Sequence, residues 1–190
     1  MTASSPPARP FDGLPVQPAD VRAVRDLVAR IARVTPLEHS RVLTAQVGAP
    51  VDLKCENLQR TGSFKVRGAY ARIARLREAE RAAGVVAASA GNNAQGVALA
   101  AKELGVEAVV FMPHGAPLPK VAATQADGAD VRFVGDTVDE ALEAAEKHAS
   151  DTGAVLVHPF DHRDVVAGQG TVGLELLEQC PDLASVVVPL

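Results

Sequence analysis

One lysine stands close behind a small-residue turn, in Thr61-Gly62-Ser63-Phe64-Lys65-Val66-Arg67-Gly68-Ala69. Ser63 has the side chain of a helix N-cap, which would put Lys65 in the first helical turn. There the positive end of the helix dipole disfavours the ammonium and lowers the pKa of the amine. A neutral amine is what a lysine needs to attack a carbonyl carbon and hold it as a Schiff base. An ordinary solvated lysine at a helix start would look the same, and this motif alone does not separate the two.

A second group is Ser89-Ala90-Gly91-Asn92-Asn93-Ala94-Gln95-Gly96. It follows a β-branched run and opens a helical pattern. Small residues let a ligand approach the backbone, free helix N–H groups hold anions such as carboxylates, and the Asn92 amide can donate to an oxygen. A plain strand-to-helix turn with an Asn cap is the competing interpretation. A third group, Ala167-Gly168-Gln169-Gly170-Thr171, sets two glycines near a helix start. They imply close approach of a ligand, or helix–sheet packing. His158 and His162 flank Pro159-Phe160-Asp161 with no third ligand spaced to complete a metal site, so a structural role near a site is expected. His39, His114 and His148 read as surface or loop residues, and no metal is expected. Cys55 and Cys180 lie far apart, with the wrong number for a disulfide scaffold and the wrong spacing for zinc. They read as reduced thiols of a cytoplasmic protein.

These groups need a frame, and the chain supplies one by alternation. β-branched runs start at Val85, Ala108, Val131, Val155 and Ser185. Helical patterns fill the gaps over 93–104, 118–127, 137–150 and 164–179. Strand and helix alternating at this interval form the βαβ pattern of an α/β fold, a parallel, doubly wound sheet with flanking helices. Thr137 with Glu140 reads as a capping box, and Gly105 and Gly128 stand where helices should stop. Ahead of this region, 18–34 reads as one helix with Val21, Val24, Leu27, Val28 and Ile31 on one face. Pro36 ends it, 51–55 reads as a strand, and a further helix opens near Ser63.

The bulk properties exclude several function classes. The 190 residues are 47% hydrophobic and 22% charged, with a net charge of −4. No basic run favours a nucleic-acid partner. No stretch approaches the roughly 18 uninterrupted apolar residues of a membrane span. Residues 1–17, rich in Pro, Ser and Ala, read as a disordered tail rather than a signal or transit peptide. A buried strand over 185–188, at the very end of the sequence, would leave a raw sheet edge. The expectation is therefore a chain cut from a longer one.

Taken in order, Lys54-Cys55-Glu56-Asn57-Leu58-Gln59, Ser63 to Ala69, Ala87 to Ala98, Phe160-Asp161 and Ala167 to Thr171 resemble the fold-type II pyridoxal-phosphate (PLP) enzymes. The branch is that of threonine dehydratase (threonine ammonia-lyase) and serine racemase, and the likeness runs from about residue 20 to the end. It implies a tryptophan synthase beta-like, two-lobe architecture: a smaller lobe over 84–160 and an incomplete larger lobe over 18–83 and 161–190. It implies that Lys65 holds PLP as a Schiff base and later moves the α-proton, and that Phe64 shapes the cofactor pocket. Asn92 would hydrogen-bond the phenolic oxygen of PLP. Ser89, Ala90, Gly91 and Asn93 would receive the substrate carboxylate. The implied reaction takes threonine or serine to a 2-keto acid and ammonia. A homo-oligomer is implied for the intact protein.

Two positions depart from the family pattern. Ala90 stands where a racemase would carry its second acid/base serine, which favours dehydration over racemisation. Asn93 stands where the family usually has histidine, and asparagine cannot titrate near neutral pH. The resemblance also implies that the glycine-rich loop cradling the PLP phosphate follows residue 190. The 190-residue chain alone is therefore expected to bind PLP weakly and to turn over little. The alternatives within the fold are a hydroxyaspartate dehydratase, a racemase or a β-replacement synthase. A catalytically dead remnant is the alternative outside enzymology.

Overall fold

The computed structural model describes residues 16–188. All but the last two positions of the expected tail lie outside the described residues. Four strands, β3 (Val85–Ala88), β4 (Ala108–Met112), β5 (Asp130–Phe133) and β6 (Val155–Leu156), pair in parallel in the order β5-β4-β3-β6. Every residue of the central β3 is buried. Its alternating side chains serve two layers, as the period of two requires. Val85 and Ala87 face a core with Val97, Ala98 and Ala101 of α6 (Asn92–Leu104). Val86 and Ala88 face Ala141 and Ala145 of α8 (Val138–Thr152). Helices thus cover both faces of the sheet, as the alternation implied.

Local chemistry sets the element ends. The Thr137 hydroxyl accepts from Glu140 N at 3.2 Å, and the Glu140 carboxylate accepts from Thr137 N at 3.0 Å. Gly105 closes α6 in the left-handed region at φ 65°, and Gly128, at φ 86°, follows α7 (Leu118–Ala126).

The front of the chain differs from its sequence-based reading. The expected helix over 18–34 splits into α1 (Pro18–Ala23) and α2 (Arg25–Val28), with Val24 at φ −98°, ψ −3° between them. The Val24 N–H bonds to Val21 O, three residues back, so the helical ladder is interrupted there. The β-branched valines crowding this segment hold a helix weakly. The expected apolar face nonetheless survives: Val24 and Val28 are buried against Ala71 and Ala167. Three elements had no counterpart in the sequence reading: β1 (Leu37–His39), which pairs antiparallel with β2 (Asp52–Lys54), α3 (Arg41–Val47) and α5 (Glu78–Ala83).

The strand expected over 185–188 does not form. No described strand lies beside this segment to complete a ladder, and Val187 is 95% exposed. Within the described residues, no helix is long and apolar enough to cross a membrane.

Two helix–helix contacts bring the pieces together. Helix α4 (Lys65–Ala74) lies between α6 and α9 (Arg163–Gln179). A Cβ at Gly168 would stand 2.6 Å from Arg67 O and 2.7 Å from Gly68 Cα, so this crossing needs glycine. The glycines of the 167–171 segment thus serve helix–helix contacts, Gly168 against α4 and Gly170 against Val21 of α1, rather than helix–sheet packing. Beneath it lies a buried ionic network. Arg67, 1% exposed, donates to both Glu56 oxygens at 2.9 and 2.8 Å and to Glu175 at 2.6 Å. It also reaches the hydroxyl of Thr171 and the carbonyl of Arg33. Lys54 closes the network on the other Glu175 oxygen at 2.6 Å.

Candidate active site

Lys65 is the first residue of α4, but Ser63 is not its cap. Phe64 takes the boundary position with helical angles (φ −63°, ψ −16°) and no side-chain capping bond. The Ser63 hydroxyl is buried and has no hydrogen-bond partner. Helix α4 starts at Lys65, one residue later than a Ser63 cap would require, with Phe64 ahead of it already at helical angles.

The Lys65 side chain is half-buried and donates from Nζ to the carbonyl of Pro159 at 2.9 Å. The exposed ring of Phe64 lies alongside, its centroid 5.3 Å from Nζ. Burial holds the Lys65 pKa below its ordinary value. The cause is desolvation of an amine whose hydrogen-bond partner is a neutral carbonyl. The accepting carbonyl sits in a turn shaped by His158, whose Nδ1 accepts from Phe160 N at 3.3 Å and Asp161 N at 2.7 Å. His162 caps α9 by accepting from Asp164 N at 3.1 Å. Both histidines are used structurally, and no cluster suited to a metal occurs among the described residues.

The 89–96 turn comes to the same place. Ser89 leaves β3 with its N–H bonded to Phe111 O at 3.1 Å, and its hydroxyl accepts from Gly91 N at 3.0 Å. Ala90 is half-buried beside it, and Gly91 is the N-cap of α6. Asn92 is exposed, while Asn93 is 6% exposed with an Nδ2 that has no partner. At Gly96 the two groups meet: a Cβ there would lie 3.1 Å from Lys65 C and Val66 N and 3.2 Å from Lys65 O. Gln169 adds a second brace, accepting from Gly68 N at 3.2 Å and donating to Lys65 O at 3.4 Å.

Sequence reasoning missed Lys120, which reaches the turn from α7. Its Nζ donates to Asn92 Oδ1 at 2.6 Å and to Gln95 Oε1 at 3.0 Å. Nothing local marks it, because Lys120 and Asn92 lie 28 residues apart in sequence.

The residues suit an aldehyde-bearing, anionic cofactor on three counts. A half-buried amine has its pKa lowered by burial, a small-residue turn opens a helix N-terminus, and a buried amide donor is unmatched. The chain belongs to the family described as pyridoxal-phosphate dependent enzyme, which it matches over residues 28–190. It is 52% identical over 171 residues to an L-threonine ammonia-lyase of Thermotoga maritima, covering 90% of this chain and 43% of that protein. It is 47% identical over 171 residues to an L-threo-3-hydroxyaspartate ammonia-lyase of Pseudomonas sp, covering 90% of this chain and 54% of that one. The processed form of threonine deaminase isoform 2 from Solanum lycopersicum superposes with a TM-score of 0.81 at 40% identity, over 87% of this chain and 45% of that one. The chain spans about half the length of the relatives it matches.

Proposed function

We propose that this chain carries the cofactor lysine and the substrate-carboxylate turn of a PLP-dependent threonine/serine ammonia-lyase. The observation that carries the proposal is the contact at Gly96, where the backbone of Lys65 meets the first turns of the helix that opens at Asn92. Lys65 supplies the amine that holds the cofactor, and its burial keeps a larger neutral fraction than a solvent lysine has. PLP, when bound, supplies an electron sink for the charge left at the substrate α-carbon. Phe64 shapes the cofactor pocket, and Asn92 donates to the phenolic oxygen.

Ser89, Ala90, Gly91 and Asn93 form the turn that receives the substrate carboxylate, with the unmatched Asn93 amide as a donor. Lys65, once free of the cofactor, takes the α-proton, and the carbonyl of Pro159 offers the ammonium a resting partner. Loss of the β-hydroxyl and hydrolysis then release a 2-keto acid and ammonia. The same reading divides the chain into a smaller lobe over 84–160 and a larger one over 18–83 and 161–190. It also places the protein in the cytoplasm as a homo-oligomer.

Borohydride reduction of the chain with PLP, followed by peptide mapping, tests the proposal. A label on Lys65 that vanishes in Lys65→Arg supports it; no label at saturating PLP overturns it. A second reading, a 3-hydroxyaspartate ammonia-lyase, is favoured by the 47% identical relative of that name. Keto-acid release from threonine, serine and 3-hydroxyaspartate by an intact homologue separates the two. A racemase is disfavoured by Ala90, which has no hydroxyl to move a proton.

A further inference from the structure

We infer that Lys120 is the positioning residue of this site, holding the Asn92 amide in one orientation so that it faces the cofactor as a donor. The inference rests on the reading of Asn92 as a cofactor ligand and adds the group that sets its direction. An asparagine amide can present either an oxygen or an NH2 group, and on an exposed side chain the two differ little in energy. An ammonium has only donors to offer. With Lys120 Nζ 2.6 Å away, the amide oxygen must turn towards the lysine. The Nδ2 hydrogens are then left to donate. Gln95, one turn further along α6, meets the same ammonium through its own oxygen at 3.0 Å.

Lys120 is well placed to be a fixed post. It stands in the first turn of α7, after Pro117 at the N-cap and Pro119, which preset the backbone. Its carbonyl accepts from the Thr124 hydroxyl at 2.8 Å, and Val121 and Thr124 are buried beneath it. A cation bonded to the amide oxygen also polarises the amide and strengthens its N–H donors. Both effects favour an anionic oxygen on the far side of Asn92. The 2.6 Å contact therefore couples a helix that touches no proposed substrate group to the electronic state of the cofactor.

The experiment has to separate this role from a mere tether between α6 and α7. Lys120→Met keeps the aliphatic stem and removes the charge; Lys120→Arg keeps the charge. In the cofactor-free chain, the side-chain NH2 resonances of Asn92, assigned by their loss in Asn92→Ser, report orientation directly. They are expected to move towards free-asparagine positions in Lys120→Met and to return in Lys120→Arg, with the backbone amides of α7 unmoved. With PLP, the concentration needed for half-maximal borohydride trapping on Lys65 should rise about tenfold in Lys120→Met, the scale of one charge-assisted hydrogen bond. The same substitution in an Asn92→Ala background should change nothing, because the effect runs through Asn92. Unmoved Asn92 resonances, or an equal loss of trapping in the Asn92→Ala background, would overturn the inference. Absence of trapping on Lys65 in the unaltered chain would instead overturn the functional reading, while the resonances still decide the role of Lys120.

Discussion

Two charged side chains, Lys65 and Arg67, sit two positions apart on α4 and have opposite fates. Lys65 is desolvated with only a carbonyl for company, so its pKa falls below 10.5. The folded chain therefore sheds this proton at a lower pH than the unfolded chain. Reaction of Lys65 with PLP should rise with pH about a midpoint below 10.5, read from borohydride incorporation across a pH series. A profile matching solvent lysine would show that the amine is not buried. Arg67 is more deeply buried but fully matched by two carboxylates. Arg67→Met leaves Glu56 without its cation and Glu175 with Lys54 alone, and urea denaturation should show a loss of about 3–5 kcal/mol. Burial alone would raise the Glu175 pKa, yet the hydrogen bonds from Arg67 and Lys54 outweigh it and leave it below 4.5. A carboxylate with a depressed folded pKa stabilises the fold fully above its unfolded pKa. That stabilisation drains as pH falls from 4.5 through the lower folded value. Glu175→Gln should flatten this acid limb of the stability curve. The place of Lys65 at a helix start was legible from its motif, whereas the burial that lowers its pKa was not. Desolvation depends on neighbours nearly a hundred residues away, and no window around Lys65 contains Pro159.

For the helices, the glycines separate contact from freedom. Gly96→Ala and Gly168→Ala each drive a methyl into backbone that cannot yield, at 3.1 Å from Lys65 C and 2.6 Å from Arg67 O. Each should destabilise by about 1–3 kcal/mol, and more at Gly168, with Gly96→Ala also lowering PLP trapping on Lys65. Gly173, on the same helix as Gly168, would place a Cβ in open space. Gly173→Ala should raise stability by about 0.5–1 kcal/mol. Thermal melts of the three variants check both signs. The βα alternation from Val85 onward was readable because each unit is written locally, in β-branched runs, caps and stop glycines such as Gly105. The break at Val24 and the pairing of β1 with β2 were not: Val24 carries no turn signal, and β1 is three residues long with α3 between it and its partner. The 185–188 run shows the reverse failure: strand composition without a neighbour forms no ladder.

Across the molecule, apolar surface is unevenly covered. A groove of about 480 Å³ runs between α1 and α9, with Val21, Val166, Leu174 and Leu177 among its walls and Val186 at one end. Val166 and Leu177 are exposed there. Contiguous apolar surface of this kind binds environment-sensitive dyes in the folded state. The native chain should brighten such a dye, and Val166→Glu with Leu177→Glu should abolish the signal without altering the far-UV circular dichroism. The sequence placed 164–179 on one helix, but a helical pattern names an element without naming what covers its apolar side.

The network around Arg67 has a temporal consequence. Its members come from Lys54, Glu56, Arg67, Thr171 and Glu175, so more than a hundred residues separate the two halves of one ionic cluster. During synthesis α4 leaves the ribosome long before α9 exists to neutralise it. Until then Arg67 has only Glu56 of its two carboxylate partners. Such long-range closure is slow and comes late. Arrival of α9 is thus the event that completes the cluster and packs against the helix that begins at Lys65, so the surroundings of α4 are finished only when this late-made helix docks.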